Sequence, residues 1–95
     1  MRDYELTVII NPEFSEEEFE GTIDTISRFI TDRGGVITEI ERQGKKRLAY
    51  PIKHNLEGHY ALAKIQIEPS LGKELESNLM ISENVIRHLL IRLNS

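Results

Sequence analysis

The 95-residue sequence predicts an α+β fold in which four antiparallel strands form one sheet and two helices cover one of its faces. Three observations carry that reading. Four stretches alternate apolar and polar side chains with the period of two that a half-buried strand requires. Two others repeat apolar side chains every three or four residues, as an amphipathic helix does. These stretches follow one another in the order β-α-β-β-α-β.

The first strand is Tyr4 to Ile10, with Leu6, Val8 and Ile10 on one face and Asn11-Pro12 as its stop. Ser15 opens the first helix: Glu18 three residues on completes a capping box, and Phe14 and Phe19 occupy the two positions of a hydrophobic staple. Phe19, Ile23, Ile26 and Ile30 make its apolar stripe, Glu16, Glu17 and Glu18 favour the positive end of its dipole, and Arg33 with Gly34-Gly35 closes it. Its acidic outer face reads as plain solvated surface.

Val36 to Arg42 and Leu48 to Ile52 are both extended in pattern, and Gln43-Gly44-Lys45 between them suits a bulge, so the segment reads as one long bent strand. Lys53 to Gly58 supplies a turn. In the returning strand Ala61, Ala63, Ile65 and Ile67 alternate with Tyr60, Leu62, Lys64 and Gln66. Pro69-Ser70 ends that strand and caps a second helix whose buried stripe is Leu71, Leu75 and Leu79, and a last strand runs from about Val85 to Arg92. Two right-handed βαβ units interlocked in this order give the ferredoxin-like arrangement, with sheet order 4-1-3-2. Pro51 agrees with it, because the second strand is then an edge, where a residue without an N–H is tolerated.

Both helices cover one sheet face, so the other is open. Alternation places Tyr60, Leu62 and Lys64 on the open face, and it places Ile86, His88, Leu90 and Arg92 there too if Leu89 and Ile91 point inward. Apolar side chains on an open face mark an interaction surface. A slip of one residue would exchange the two faces.

Composition narrows the chemistry. With no cysteine, disulfides, thiolate metal sites and cysteine nucleophiles are excluded. No apolar run approaches a membrane span, and the N-terminus enters a strand without an apolar leader, so a cytoplasmic protein with no membrane partner is expected. His54, His59 and His88 show no metal-ligand or triad spacing, so neither a metal site nor a catalytic residue is expected, and no cofactor or small-molecule substrate. The Asn11-Pro12 loop could cradle a phosphate in an acylphosphatase-like enzyme, but it lacks glycine before the helix. The formal charge of −4 is unevenly spread: residues 1 to 41 hold three basic and eleven acidic side chains, whereas residues 42 to 64 hold six basic and one acidic. Such a dipolar chain can turn a cationic patch to phosphates. Its centre is Lys45-Lys46-Arg47, with Lys53 beyond. Long cations on an edge strand also deter aggregation, so composition alone leaves both readings open. No aromatic pair for base stacking is visible beyond Tyr60. A regulatory domain that binds a small molecule and dimerises through its open face is the alternative from another class.

Gly44-Lys45-Lys46-Arg47-Leu48-Ala49-Tyr50-Pro51-Ile52-Lys53, together with Met1-Arg2-x-Tyr4-Glu5 at the start and Asn84-Val85-Ile86-Arg87 near the end, resembles the bacterial small-subunit ribosomal protein S6 family over essentially the whole chain. The resemblance implies a ferredoxin-like fold, no catalysis, binding to the central domain of small-subunit (16S) ribosomal RNA, and pairing with ribosomal protein S18. Carried over position by position, it implies ribosomal RNA contacts at Arg2, Lys45, Lys46, Arg47, Lys53 and Arg87. Asp3 stands where the family often has a second basic residue, which weakens the expectation at the N-terminus. For the protein partner, the outward side chains of the hairpin, Leu48, Tyr50, Tyr60 and Leu62, are the expected surface.

Overall fold

The computed structural model describes residues 1–93. The elements are β1 (Arg2–Ile10), α1 (Glu16–Thr31), β2 (Val36–Ile52), β3 (Asn55–Ile67), α2 (Pro69–Ile81) and β4 (Val85–Arg92). The strands form one antiparallel sheet in the order β2-β3-β1-β4, which is the predicted ferredoxin-like 4-1-3-2 read from the other edge. Both helices pack on one face, where Leu6, Val8 and Ile10 of β1 and Ala61, Ile65 and Ile67 of β3 meet Phe19, Ile23 and Ile30 of α1 and Leu71, Leu75 and Leu79 of α2.

Local chemistry sets the start of α1 as expected. The Glu18 N–H donates to Ser15 Oγ at 3.1 Å and the Ser15 N–H donates to Glu18 Oε1 at 3.0 Å, so two otherwise orphan donors are satisfied. At the other end Gly34 is left-handed, with φ of 88°, and Gly35 lies so close to Ile30 and Ile67 that no Cβ fits. The start of α2 differs from expectation. Its capping position is Glu68, which makes no side-chain bond, and Ser70 lies inside the helix; the Leu71 and Gly72 N–H groups donate to the Glu68 carbonyl while Pro69 fills the first turn.

Two departures shape the open face. In β4, Ile10 pairs with Val85 but Ile9 pairs with Arg87, so Ile86 is an extra residue in a β-bulge. The bulge inverts the alternation that follows. Leu89 and Ile91, expected inward, are 48% and 45% exposed on the open face, while Leu90, expected outward, packs on the helix-side core and His88 faces Glu76 of α2 at 3.8 Å. Ile86 itself does reach the open face, where it packs with Ile9 and Leu48.

The second departure is the hairpin tip. Ile52 pairs with Asn55, so the turn is only Lys53-His54, and both residues are left-handed, with φ of 49° and 67°. That is a type I′ turn made without asparagine or glycine. Gly58, which the sequence suggested as part of the turn, instead lies within β3 opposite Lys46, where a Cβ would overlap the Ile9 side chain. Between the Arg47–Glu57 and Ile52–Asn55 pairs, Leu48 to Pro51 oppose Leu56 alone and bulge away from the ladder, so Pro51 leaves no ladder bond unmade.

Candidate nucleic-acid and partner interface

The strand register brings most of the predicted cations to one end of the sheet. Lys45 pairs with His59, Lys46 with Gly58 and Arg47 with Glu57 at the far end of the β2–β3 hairpin; Lys53 forms its tip, and Arg87 stands beside Ile9 at the same end of β4. All five side chains are exposed. Among the described residues none of the five is in an ion pair, whereas Arg28, Arg42 and Lys64 face Asp24, Glu20 and Glu39. The contrast is sharpest at Arg42, just before the basic run. Its Nε and Nη2 donate to the Glu20 carboxylate at 2.6 and 2.8 Å, and this bidentate bond holds Glu20 below the usual carboxylate range. Arg42 is thereby engaged by α1, whereas the cations beyond it on the hairpin have no carboxylate partner among the described residues. Lys46 reaches toward the open face, with Nζ 5.3 Å from the centre of the Tyr60 ring and a 3.3 Å hydrogen bond to Gln43.

On the open face the hairpin tip folds toward β4. Leu48, only 8% exposed, rests on Ile9 and Ile86, with Ile52 and Tyr60 beside them. Tyr50 lies across from β4, where its hydroxyl accepts a 2.8 Å hydrogen bond from Arg87 Nη1. Between these walls runs a groove of about 240 Å³ lined mainly by Ile9, Leu48, Tyr50, Tyr60 and Leu89. Of the four residues expected to meet a protein partner, Tyr50 is exposed, Tyr60 and Leu62 are half-buried, and Leu48 is a buried floor and not a projecting contact.

Comparison with known proteins decides the family. The family model described as ribosomal protein S6 matches residues 3–92. The chain belongs to the ribosomal protein S6 family. It is 44% identical to the small ribosomal subunit protein bS6 of Desulforudis audaxviator over 97% of this chain and 98% of that one. The bS6 protein of Caldanaerobacter subterraneus is 40% identical over 97% of each chain. The crystal structure of 30S ribosomal protein S6 from Thermotoga maritima superposes with a TM-score of 0.91 at 32% identity, covering 97% of this chain and 87% of that one. The S6 family is one of ribosomal structural proteins, not enzymes, and its place is the small subunit of the cytoplasmic ribosome.

Within this S6 fold, Arg2 is the predicted cation that stands apart. It pairs with Ile67 at the opposite end of the sheet, and the seven residues of β1 that separate its row from that of Arg87 amount to ~23 Å. The histidines that invited an enzymatic reading are dispersed. His59 is buried and stacked on Phe19 with ring centroids 3.6 Å apart, its Nδ1 unpartnered; His88 faces Glu76; His54 is in the turn. No cluster of metal-ligating side chains occurs among the described residues, and none of their helices is long and apolar enough to cross a membrane. Asn11 Oδ1 accepts from the Glu13 N–H at 2.9 Å, so that loop is closed on itself. Sequence reasoning missed the groove and the Tyr50–Arg87 bond. Leu48, Tyr50 and Arg87 all lie within the family-like segments, but their meeting depends on two bulges that no local pattern announces.

Proposed function

We propose that this S6 family member binds the central domain of 16S ribosomal RNA through the cationic end of its sheet and holds ribosomal protein S18 on its open face. The observation that carries the reading is the gathering of Lys45, Lys46, Arg47, Lys53 and Arg87 at one end of an acidic chain, without ion pairs among the described residues, while Arg28 and Arg42 are engaged by helix carboxylates. Exposed cations without carboxylate partners are what counterion release requires of a phosphate-binding surface. The open face supplies the second contact, because Leu89 and Ile91 stand exposed there beside the half-buried Tyr60 and Leu62.

Five phosphate contacts and no base-stacking sheet give affinity nearer the non-specific range, ~10⁻⁴ to 10⁻⁶ M, than the specific one, so a partner that completes the RNA surface is part of the reading. The experiment is a titration of a central-domain RNA fragment with this protein alone and with S18 present. Weak binding alone and tight, fragment-specific binding with S18 is the expected result. Tight specific binding by the chain alone would refute the dependence on a partner, and no binding in either case would refute the RNA assignment.

A further inference from the structure

We propose that Glu20 is a specificity-determining residue for RNA binding: it withholds Arg42 from phosphates and so ends the phosphate track on the helix-side face of the hairpin at Lys45. The proposal rests on the reading that the hairpin cations bind RNA and adds to it where that contact stops.

Strand register sorts the basic run by face. Side chains directly opposite one another in an antiparallel pair lie on the same side of the sheet. Arg42 is opposite Ala61, Lys45 opposite His59 and Arg47 opposite Glu57. Ala61 belongs to the core beneath the helices and His59 is stacked on Phe19 of α1, so Arg42, Lys45 and Arg47 all project on the helix side. Lys46, opposite Gly58, projects on the other face, with its ammonium over the Tyr60 ring. Ala61, His59 and Glu57 are spaced two residues apart on β3, which sets the three helix-side cations in a row at intervals of ~7 Å. By sequence and register alone, that row would offer a phosphate backbone three adjacent contacts.

The first helix removes one of them. Its opening turn is Glu16-Glu17-Glu18, and Glu20 grips Arg42 through two hydrogen bonds, at 2.6 and 2.8 Å. Lys45 and Arg47 are in no ion pair among the described residues. A guanidinium can exchange a carboxylate for a phosphate, because both accept its paired donors. Here the exchange is opposed twice. An Arg42 turned to RNA would leave the Glu20 carboxylate unpaired beside the incoming phosphate, and Glu16 adds a second negative charge near Arg42. Like charges at that range repel. The track therefore runs over Lys45 and Arg47 and stops where α1 begins, so the protein forgoes one phosphate contact and the edge of the RNA footprint is fixed.

The test is the salt dependence of binding to the central-domain RNA fragment, with S18 present, for wild type and three variants. Glu20→Gln keeps an acceptor beside Arg42 but no longer cancels its charge. Glu20→Gln combined with Arg42→Gln replaces the pair by neutral groups at unchanged net charge. Asp24→Asn breaks the pair with Arg28 one turn further along α1 and changes net charge as Glu20→Gln does. Glu20→Gln should steepen the slope of log affinity against log salt by ~0.7–0.9, the increment of one phosphate contact, and raise affinity about threefold or more. The double variant and Asp24→Asn should both stay within ~0.3 of wild type in slope and about twofold in affinity. Three results overturn the proposal while leaving the RNA reading in place. An unchanged slope in Glu20→Gln would show that Arg42 does not reach RNA, and equal gains in Glu20→Gln and Asp24→Asn would reduce the effect to net charge. A double variant whose slope is shallower than that of wild type by ~0.7–0.9 would show that Arg42 already contacts a phosphate in spite of Glu20. Wild-type protein that binds no RNA would refute the RNA reading itself, and the proposal with it.

Discussion

Arg42 and Glu20 meet across 22 residues of sequence, and their bond separates two kinds of cation on one strand. A guanidinium fits a carboxylate bidentately and stays on it, whereas the lysines that follow have no such partner. The pair is nearly half exposed, so its contribution to stability is small and screened by salt. Its pH dependence has a definite sign. Hydrogen bonding to Arg42 lowers the Glu20 pKa from 4.5 in the folded chain, so the stabilisation is present above that value and is lost as pH falls through the lower, folded one. Comparing wild type with Glu20→Gln by urea unfolding should therefore show a difference at pH 7 that shrinks to nothing well below pH 4.5. A difference that persists undiminished in acid would mean that the ion pair is not its source. Sequence reasoning found the Ser15–Glu18 capping box because its donors and acceptors are three residues apart. It could not find Glu20–Arg42 or the Phe19–His59 stack, whose partners are joined only by the fold.

The strands show how far alternation can be trusted. In β3 it assigns Ala61, Ala63, Ile65 and Ile67 to the helix side without error, because the ladder with β1 runs in unbroken register from Arg2–Ile67 to Ile10–His59. In β4 the same rule fails after one bulged residue. Val85-Ile86-Arg87-His88-Leu89-Leu90-Ile91-Arg92 is apolar on both faces, so nothing in it favours one phase over the other, and the insertion of Ile86 opposite the Ile9–Ile10 step decides the matter. The β2–β3 turn is a different case, since its residues work against its conformation. Lys53 and His54 both hold positive φ, a region that costs a residue with a Cβ roughly 1–2 kcal/mol. Sequences that fold most readily into this turn use glycine there. Replacing His54 by glycine should relieve that strain and, after the added entropy of the unfolded chain is subtracted, stabilise the protein by about 0.5–1 kcal/mol in denaturant unfolding. Destabilisation would show that the imidazole makes a contact worth more than the strain. The cationic Lys53 stays in place in this variant, so RNA affinity should change little.

At the scale of the whole molecule the arrangement is polar along the strands. One end carries the hairpin tip, the exposed basic side chains and Arg87; the other carries Arg2, whose neighbour Asp3 accepts a hydrogen bond from Gln66, and the N-terminal ammonium, which lies 3.4 Å from Glu68. Family resemblance gave Arg2 and the hairpin cations the same role, but the fold sets them ~23 Å apart, and local acidity differs between the two ends. Over that distance a Debye length of about 8 Å at physiological salt leaves Arg2 unable to act on phosphates held at the hairpin. Salt dependence of RNA binding separates the two cases, since each phosphate contact contributes ~0.7–0.9 to the slope of log affinity against log salt. The measurement is that slope for central-domain RNA with S18 present, in wild type, in the double variant Lys46→Ala with Arg47→Ala, and in Arg2→Ala. The double variant should lower the slope by roughly one to two units and weaken binding across RNA sequences alike, while Arg2→Ala should leave the slope within about 0.3 of wild type. Equal reductions in both would mean that RNA wraps the length of the sheet and contacts both ends; an unchanged slope in the double variant, with folding intact, would remove the hairpin cations from the interface altogether.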